Sequence, residues 1–174
     1  ERPEYADYLS MQWADLLRVD RDAVTPKAAV AMTRWLRQEF AANRPFDQFA
    51  RDILTARGNT AKEGPAALYV AVQSPEELSR SIAQLFCGVR IACAQCHHHP
   101  FDRWTQTDYY GMVGFFAPVG GRGDNVFASG TPITTHPRTH QPVYAHALGD
   151  PMPAADPAGD RRLGLADWMT RPDR

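Results

Sequence analysis

The most distinctive chemistry in this sequence sits in five consecutive residues, Cys93-Ala94-Gln95-Cys96-His97, a C-x-x-C-H string. From the chain's own Cys and His frequencies such a string is expected about 0.002 times by chance, so it needs a chemical reason. The chemistry that uses this spacing is covalent haem attachment. Two thiols three residues apart on one helical turn share a side, so both can add across the vinyl groups of a porphyrin to make haem c. The next imidazole then points at the iron. Cys93 and Cys96 are therefore the expected thioether positions and His97 the expected proximal iron ligand. His99 stays on the same side of the porphyrin, where it could support His97 from behind. A sixth ligand would come from Met112, Met152, His136, His140 or His146. A Met would raise the reduction potential relative to a second His.

Zinc is the main rival. Cys93-x-x-Cys96 is half of a tetrahedral site, and His136-x-x-x-His140 has the spacing of the other half, with His97 or His99 able to replace a distal ligand. A redox-active dithiol is the third reading. Such a pair usually follows a strand in a thioredoxin-like fold, and the helical pattern before Cys93 gives no sign of one. Phe101, Trp104, Tyr109, Tyr110, Phe115 and Phe116 could wall a flat cofactor, but aromatics at helical spacing are as readily explained as core. Cys87 reads as a small hydrophobe closing an apolar helix. Asp102-Arg103 reads as a local surface pair and Arg122-Gly123-Asp124 as a turn. No nucleophile–base pair or phosphate-cradling glycine loop is present, so no catalytic residue is assigned.

The elements that must position this segment are read from periodicity. Tyr5, Leu9, Trp13, Leu16 and Leu17 form a first helical stripe before a polar turn over Arg18 to Asp22. Pro26 opens a second helix with Ala29, Met32, Leu36 and Phe40; Phe46, Phe49, Ala50, Ile53 and Leu54 line a third. Ser74-Pro75-Glu76-Glu77 predicts a capped start, with Glu77 completing a capping box, for a helix burying Leu78, Ile82, Leu85 and Phe86. Thr105 caps a further helix, and Asp160 caps a last one. Six of the fourteen prolines fall between Pro132 and Pro157, and Gly120, Gly121, Gly123 and Gly130 break the apolar pieces there. The expected fold is mainly α: one helical domain over 1–119, a Pro/Gly-rich extended flap over 120–159 with at most short β-hairpin pieces, and a final helix over 160–174 leading into further chain.

Composition bounds the partners. The 174 residues are 44% hydrophobic and 22% charged, which is globular, and a domain of this size needs no disulfide staple. Nineteen basic and twenty acidic residues give a net charge of −1, with no basic patch for nucleic acid. No apolar run is long enough for a membrane span. The opening ERPEYADYLS has neither an initiator Met nor a signal-peptide pattern and reads as part of a longer protein.

RWLRQEFAANRPFDQFARDILTARGNT, LFCGVRIACAQCHHHPFDRWTQTDYYGMVGFF, HPRTHQPV and DRRLGLADWMT together resemble the planctomycete family called domain of unknown function 1549. The resemblance implies a region often followed by a second uncharacterised domain (1553) and often linked to planctomycete-type cytochrome c domains. It carries Cys93, Cys96, His97 and His99 onto the family's Cys and His positions. His136 falls on its H-P-R-T element, which makes that residue the preferred distal iron ligand. His98, His140 and Cys87 stand where Asp or Asn, Gly and Leu are usual, which weakens the pairing of His136 with His140 for zinc. The resulting expectation is an exported, periplasmic haem c domain for one-electron transfer, with a redox protein or an attached domain, such as an oxidoreductase, as partner. The alternative is a zinc-stabilised interaction module built on the same Cys/His cluster.

Overall fold

The computed structural model describes residues 3–19, 22–153 and 159–171. Residues 20 and 21 of the first polar turn, 154–158 of the flap and 172–174 of the final segment lie outside that set. The described residues form seven helices and five strands, grouped in two compact units, Glu1–Gln73 with Gly120–Ala128 and Ser74–Val119 with Ser129–Arg174. No helix among them is long and apolar enough to cross a membrane.

The first unit is built on α1 (Pro3–Leu16), α2 (Pro26–Ala41) and α3 (Phe46–Thr55). Helix α1 buries Ala6 and Ser10, and Leu17 is buried just after it, while Tyr5 and Leu16 are exposed, so the inner face is turned slightly from the expected stripe. Pro26 opens α2 as expected, with the Thr25 hydroxyl accepting from the Ala28 N–H at 3.3 Å. Phe49 of α3 is the hub of an aromatic cluster, with Trp13 edge-on at 4.8 Å and Trp35 stacked at 5.2 Å. A 3-10 turn (Gly64–Ala66) leads into α4 (Ala67–Ala71), which is tied to the end of α3 by the Tyr69 hydroxyl donating to the Leu54 carbonyl at 2.6 Å.

Strands β1 (Gly58–Asn59), β2 (Val119–Arg122) and β3 (Asn125–Ala128) form an antiparallel sheet in the order β1-β3-β2, with Gly58 opposite Val126 and Asn59 opposite Asn125. This corrects the expected fold class, because the Pro/Gly-rich region supplies strands to two sheets instead of at most isolated hairpin pieces. Glycine here serves contact: a Cβ on Gly120 would come within 3.1 Å of the Phe127 ring. Gly123 takes φ +58° in the turn between β2 and β3, where Arg122-Gly123-Asp124 was expected to turn.

In the second unit α5 (Pro75–Cys87) starts where Ser74 accepts from the Glu77 N–H, and stops at left-handed Gly88. The Ser74 hydroxyl also donates to Glu76 at 2.8 Å. The reciprocal box sits on α6 (Gln106–Gly114), between Thr105 and Asp108. Thr105→Ala is expected to lower stability by about 1 kcal/mol, read by urea denaturation, with Thr105→Ser nearly neutral. Tyr109, Met112 and Phe116 are fully buried, and burial pushes the Tyr109 hydroxyl up to about 12.

Strands β4 (Ile133–Thr135) and β5 (Pro142–Tyr144) make the second sheet, with Thr134 opposite Val143. Pro142 takes the first position of β5, a place in a strand that tolerates a missing N–H. The Thr134 hydroxyl donates to the Tyr110 carbonyl at 3.0 Å, and the His146 N–H to the Gly111 carbonyl at 3.3 Å, fastening this segment to α6. Helix α7 (Arg162–Met169) follows Asp160. The Asp160 carboxylate accepts from the Arg162 backbone N–H, close to the expected capping role, and also holds the Arg162 guanidinium.

Candidate functional site

Cys93 lies in the 3-10 turn Ala92–Gln95 and Cys96 caps its end, the Cys96 N–H donating to the Cys93 carbonyl at 3.4 Å. Side chains three apart eclipse on such a turn, and three steps of about 2.0 Å put the two Cα atoms about 6 Å apart, inside the span a disulfide bridges. Both cysteines are exposed and free.

The rest of the turn faces inward and is clamped. Ala94 is fully buried, and Ile91 ahead of it nearly so. The Gln95 carbonyl accepts from Gln106 Nε2 at 2.9 Å and from the Tyr110 hydroxyl at 3.5 Å, while its side-chain oxygen accepts from Arg80 at 2.9 Å. Burial raises the Tyr110 pKa, and the charges of Cys96 and Glu76 raise it further. The His136 ring lies 6.1 Å from the Tyr110 ring.

The histidines are occupied locally. His97 is exposed, and its Nδ1 donates to the neighbouring His98 carbonyl at 2.6 Å. His99 Nδ1 accepts from the Phe101 N–H at 3.3 Å, in a loop closed by the His99 N–H donating to the Trp104 carbonyl at 2.8 Å. His136 Nδ1 accepts from the backbone N–H groups of Arg138 and Thr139, both at 3.3 Å, capping its own turn. His140 ends that turn with φ +55°, a left-handed position that explains why the resemblance implies Gly there. Met112 and His146 are buried and Met152 is exposed.

These placements correct the expectation of haem c, and of zinc in its stead. Among the described residues no group of three or more His, Cys, Asp or Glu side chains is arranged to hold a metal ion. His99 and His136 use Nδ1 as backbone caps, and the thiols face outward from their turn. The aromatics expected to wall a macrocycle serve elsewhere: Tyr109 and Phe116 are core, Phe101 is 94% exposed, and Trp104 carries the Arg103 guanidinium at 4.7 Å. That stacking also replaces the expected side-chain pair of Arg103 with Asp102, whose carboxylate accepts instead from the Arg103 backbone N–H at 2.7 Å.

A family model described as "PSCyt2: Protein of unknown function (DUF1549)" matches residues 1–120. The chain belongs to this family. The PSCyt2 match contains Cys93, Cys96, His97, His99 and the clamping residues Arg80, Gln95, Gln106 and Tyr110, whereas His136 lies beyond it. No match was found among curated proteins or solved structures. Sequence reasoning missed the clamp because Gln95 is one of the unspecified positions of C-x-x-C, and neither Arg80 nor Gln106 belongs to a motif. The one available signal was an amide side chain between two cysteines, too weak without the contact.

Proposed function

We propose that this domain is a dithiol redox module in which Cys93 and Cys96 exchange with a partner disulfide. The observation that supports the reading is the pair of free, exposed thiols at one clamped 3-10 turn. The thiolate of one cysteine attacks a sulfur of the partner disulfide, forming a mixed disulfide and releasing the partner's other sulfur as a thiolate. The second cysteine then attacks its neighbour's sulfur, closing Cys93–Cys96 and releasing the partner's second thiol. Two electrons and two protons leave the domain, and the partner disulfide becomes two thiols. With the turn held through Ala94 and Gln95, the thiols can close without rearranging the core behind them.

The partner is a disulfide-bearing redox protein or an attached domain of a longer chain. An exported location, the planctomycete source and a following 1553-type domain, all implied by the resemblance, belong to the same proposal, since disulfides persist outside the cytoplasm. Equilibration in graded glutathione buffers followed by alkylation and mass spectrometry tests the exchange. One internal disulfide is expected, lighter by two hydrogens, with a midpoint between roughly −270 and −180 mV. It disappears in Cys93→Ser and Cys96→Ser and persists in Cys87→Ser. Full alkylation of both thiols in oxidised glutathione, or pairing with Cys87, overturns the proposal.

A further inference from the structure

We infer that the first unit holds a second site, independent of the cysteines: a basic cleft for one small organic anion bearing carboxylate or phosphate groups. The cleft has a volume of about 880 Å³, and Arg34 of α2, Arg57 after α3 and Lys62 of the following turn all line it. A space of roughly 300–1,000 Å³ suits a single small molecule.

The charge count decides the ligand's sign. None of these three cations has a side-chain ion pair or hydrogen bond among the described residues. Two carboxylates, Asp52 and Glu63, also line the cleft, but Asp52 already faces Arg44 at 3.5 Å. Three unpaired cations therefore face one unpaired carboxylate in a chain whose net charge is −1. A concave wall concentrates that local excess, and guanidinium groups bind carboxylate and phosphate oxygens through paired N–H donors.

Two contacts keep the walls in place. Gly64 packs so closely on α2 that a Cβ there would lie 2.7 Å from the Ala31 carbonyl oxygen. Trp35, which also lines the cleft, stacks on Phe49 with an interplanar angle of 13°. The indole adds an apolar surface beside the cations, which favours an organic anion over a bare inorganic ion. Three cations around one cleft do not make the extended basic track that nucleic acid requires.

Isothermal titration calorimetry of the full chain with citrate, glucuronate and inorganic phosphate, with glucose as the neutral control, tests the site. Glucuronate and glucose share a ring, so their difference isolates the carboxylate, and the phosphate arm separates the two anion chemistries. Binding of at least one organic anion and none of glucose is expected. Arg34→Gln, Arg57→Gln and Lys62→Gln should each weaken it about fivefold to tenfold, and Glu63→Gln should tighten it about twofold to threefold. Arg122→Gln, on β2 and outside the lining, should leave affinity unchanged. The four cleft side chains are exposed, so folding should survive, with circular dichroism as the check. No heat with any anion at millimolar concentration, equal binding of glucose, or affinity unmoved by the cation variants overturns the site. Weaker binding in Glu63→Gln does so too.

Discussion

Asp160→Ala is expected to destabilise the protein by about 3–5 kcal/mol in urea denaturation. Arg162 is fully buried, and the Asp160 carboxylate meets it at 3.0 Å on Nε and 2.8 Å on Nη2. Removing the carboxylate takes two charge-assisted hydrogen bonds from a buried guanidinium, and the desolvation of that charge is then less well offset. The same carboxylate accepts the Arg162 backbone N–H at 3.1 Å, so the start of α7 loosens as well. Asp160→Asn, which keeps an acceptor but not the charge, should fall between parent and Ala. Asp160→Ala combined with Arg162→Met should recover most of the loss, because an apolar side chain can replace a buried pair at little net cost. A loss below about 1 kcal/mol for Asp160→Ala would show that the pair does not govern α7.

Gly111→Ala is expected to cost about 3 kcal/mol and lower the melting temperature by roughly 10 °C. Helix propensity alone points the other way, since Ala in a helix interior is favoured over Gly by about 1 kcal/mol. The close contact decides the sign. A Cβ on Gly111 would lie 2.7 Å from His146 Nε2 and nearer still to Cε1 and Nδ1 of that buried ring. His146 has little freedom to retreat: its Nδ1 donates to the Tyr144 carbonyl at 2.9 Å, and its own N–H donates to the Gly111 carbonyl. One turn on, a Cβ at Gly114 would come 2.9 Å from Ala145 Cα, so α6 meets this segment through two glycines. The double variant Gly111→Ala, His146→Ala should be more stable than the sum of the single losses predicts, because the second change vacates the space the first requires. A neutral or stabilising Gly111→Ala would mean that residues 145–147 do not lie against α6.

Much of the helical framework was legible because its signals are local. Pro26 opens α2, Ser74 and Thr105 accept the N–H groups expected of caps, and four of the five residues of the predicted α3 stripe, Phe49, Ala50, Ile53 and Leu54, are buried while Phe46 is exposed. A cap needs only the next three residues, and a stripe only its own turn. The second half misled for the same reason. Gly120, Gly123, Pro132 and Pro142 read as breaks, yet β2 pairs with β3 and β4 with β5 around them, and β3 also takes a distant partner in Gly58–Asn59. The β1–β3 pairing is non-local, and a composition of turn residues does not record that partner.

At the site, sequence by itself determined that Cys93 and Cys96 share one side of a turn, since three-residue spacing does so wherever that turn is helical. It also determined the family, whose match spans the motif. Only the tertiary structure decided which side that is. Ala94 is drawn into the core and Gln95 is clamped by Arg80, Gln106 and Tyr110, so the thiols face water and the flanking histidines cap backbone instead of converging on a metal. The basic cleft follows the same rule. Arg34, Arg57 and Lys62 belong to no motif, and they become a site only because packing through Gly64 and Trp35 brings three separate segments around one space.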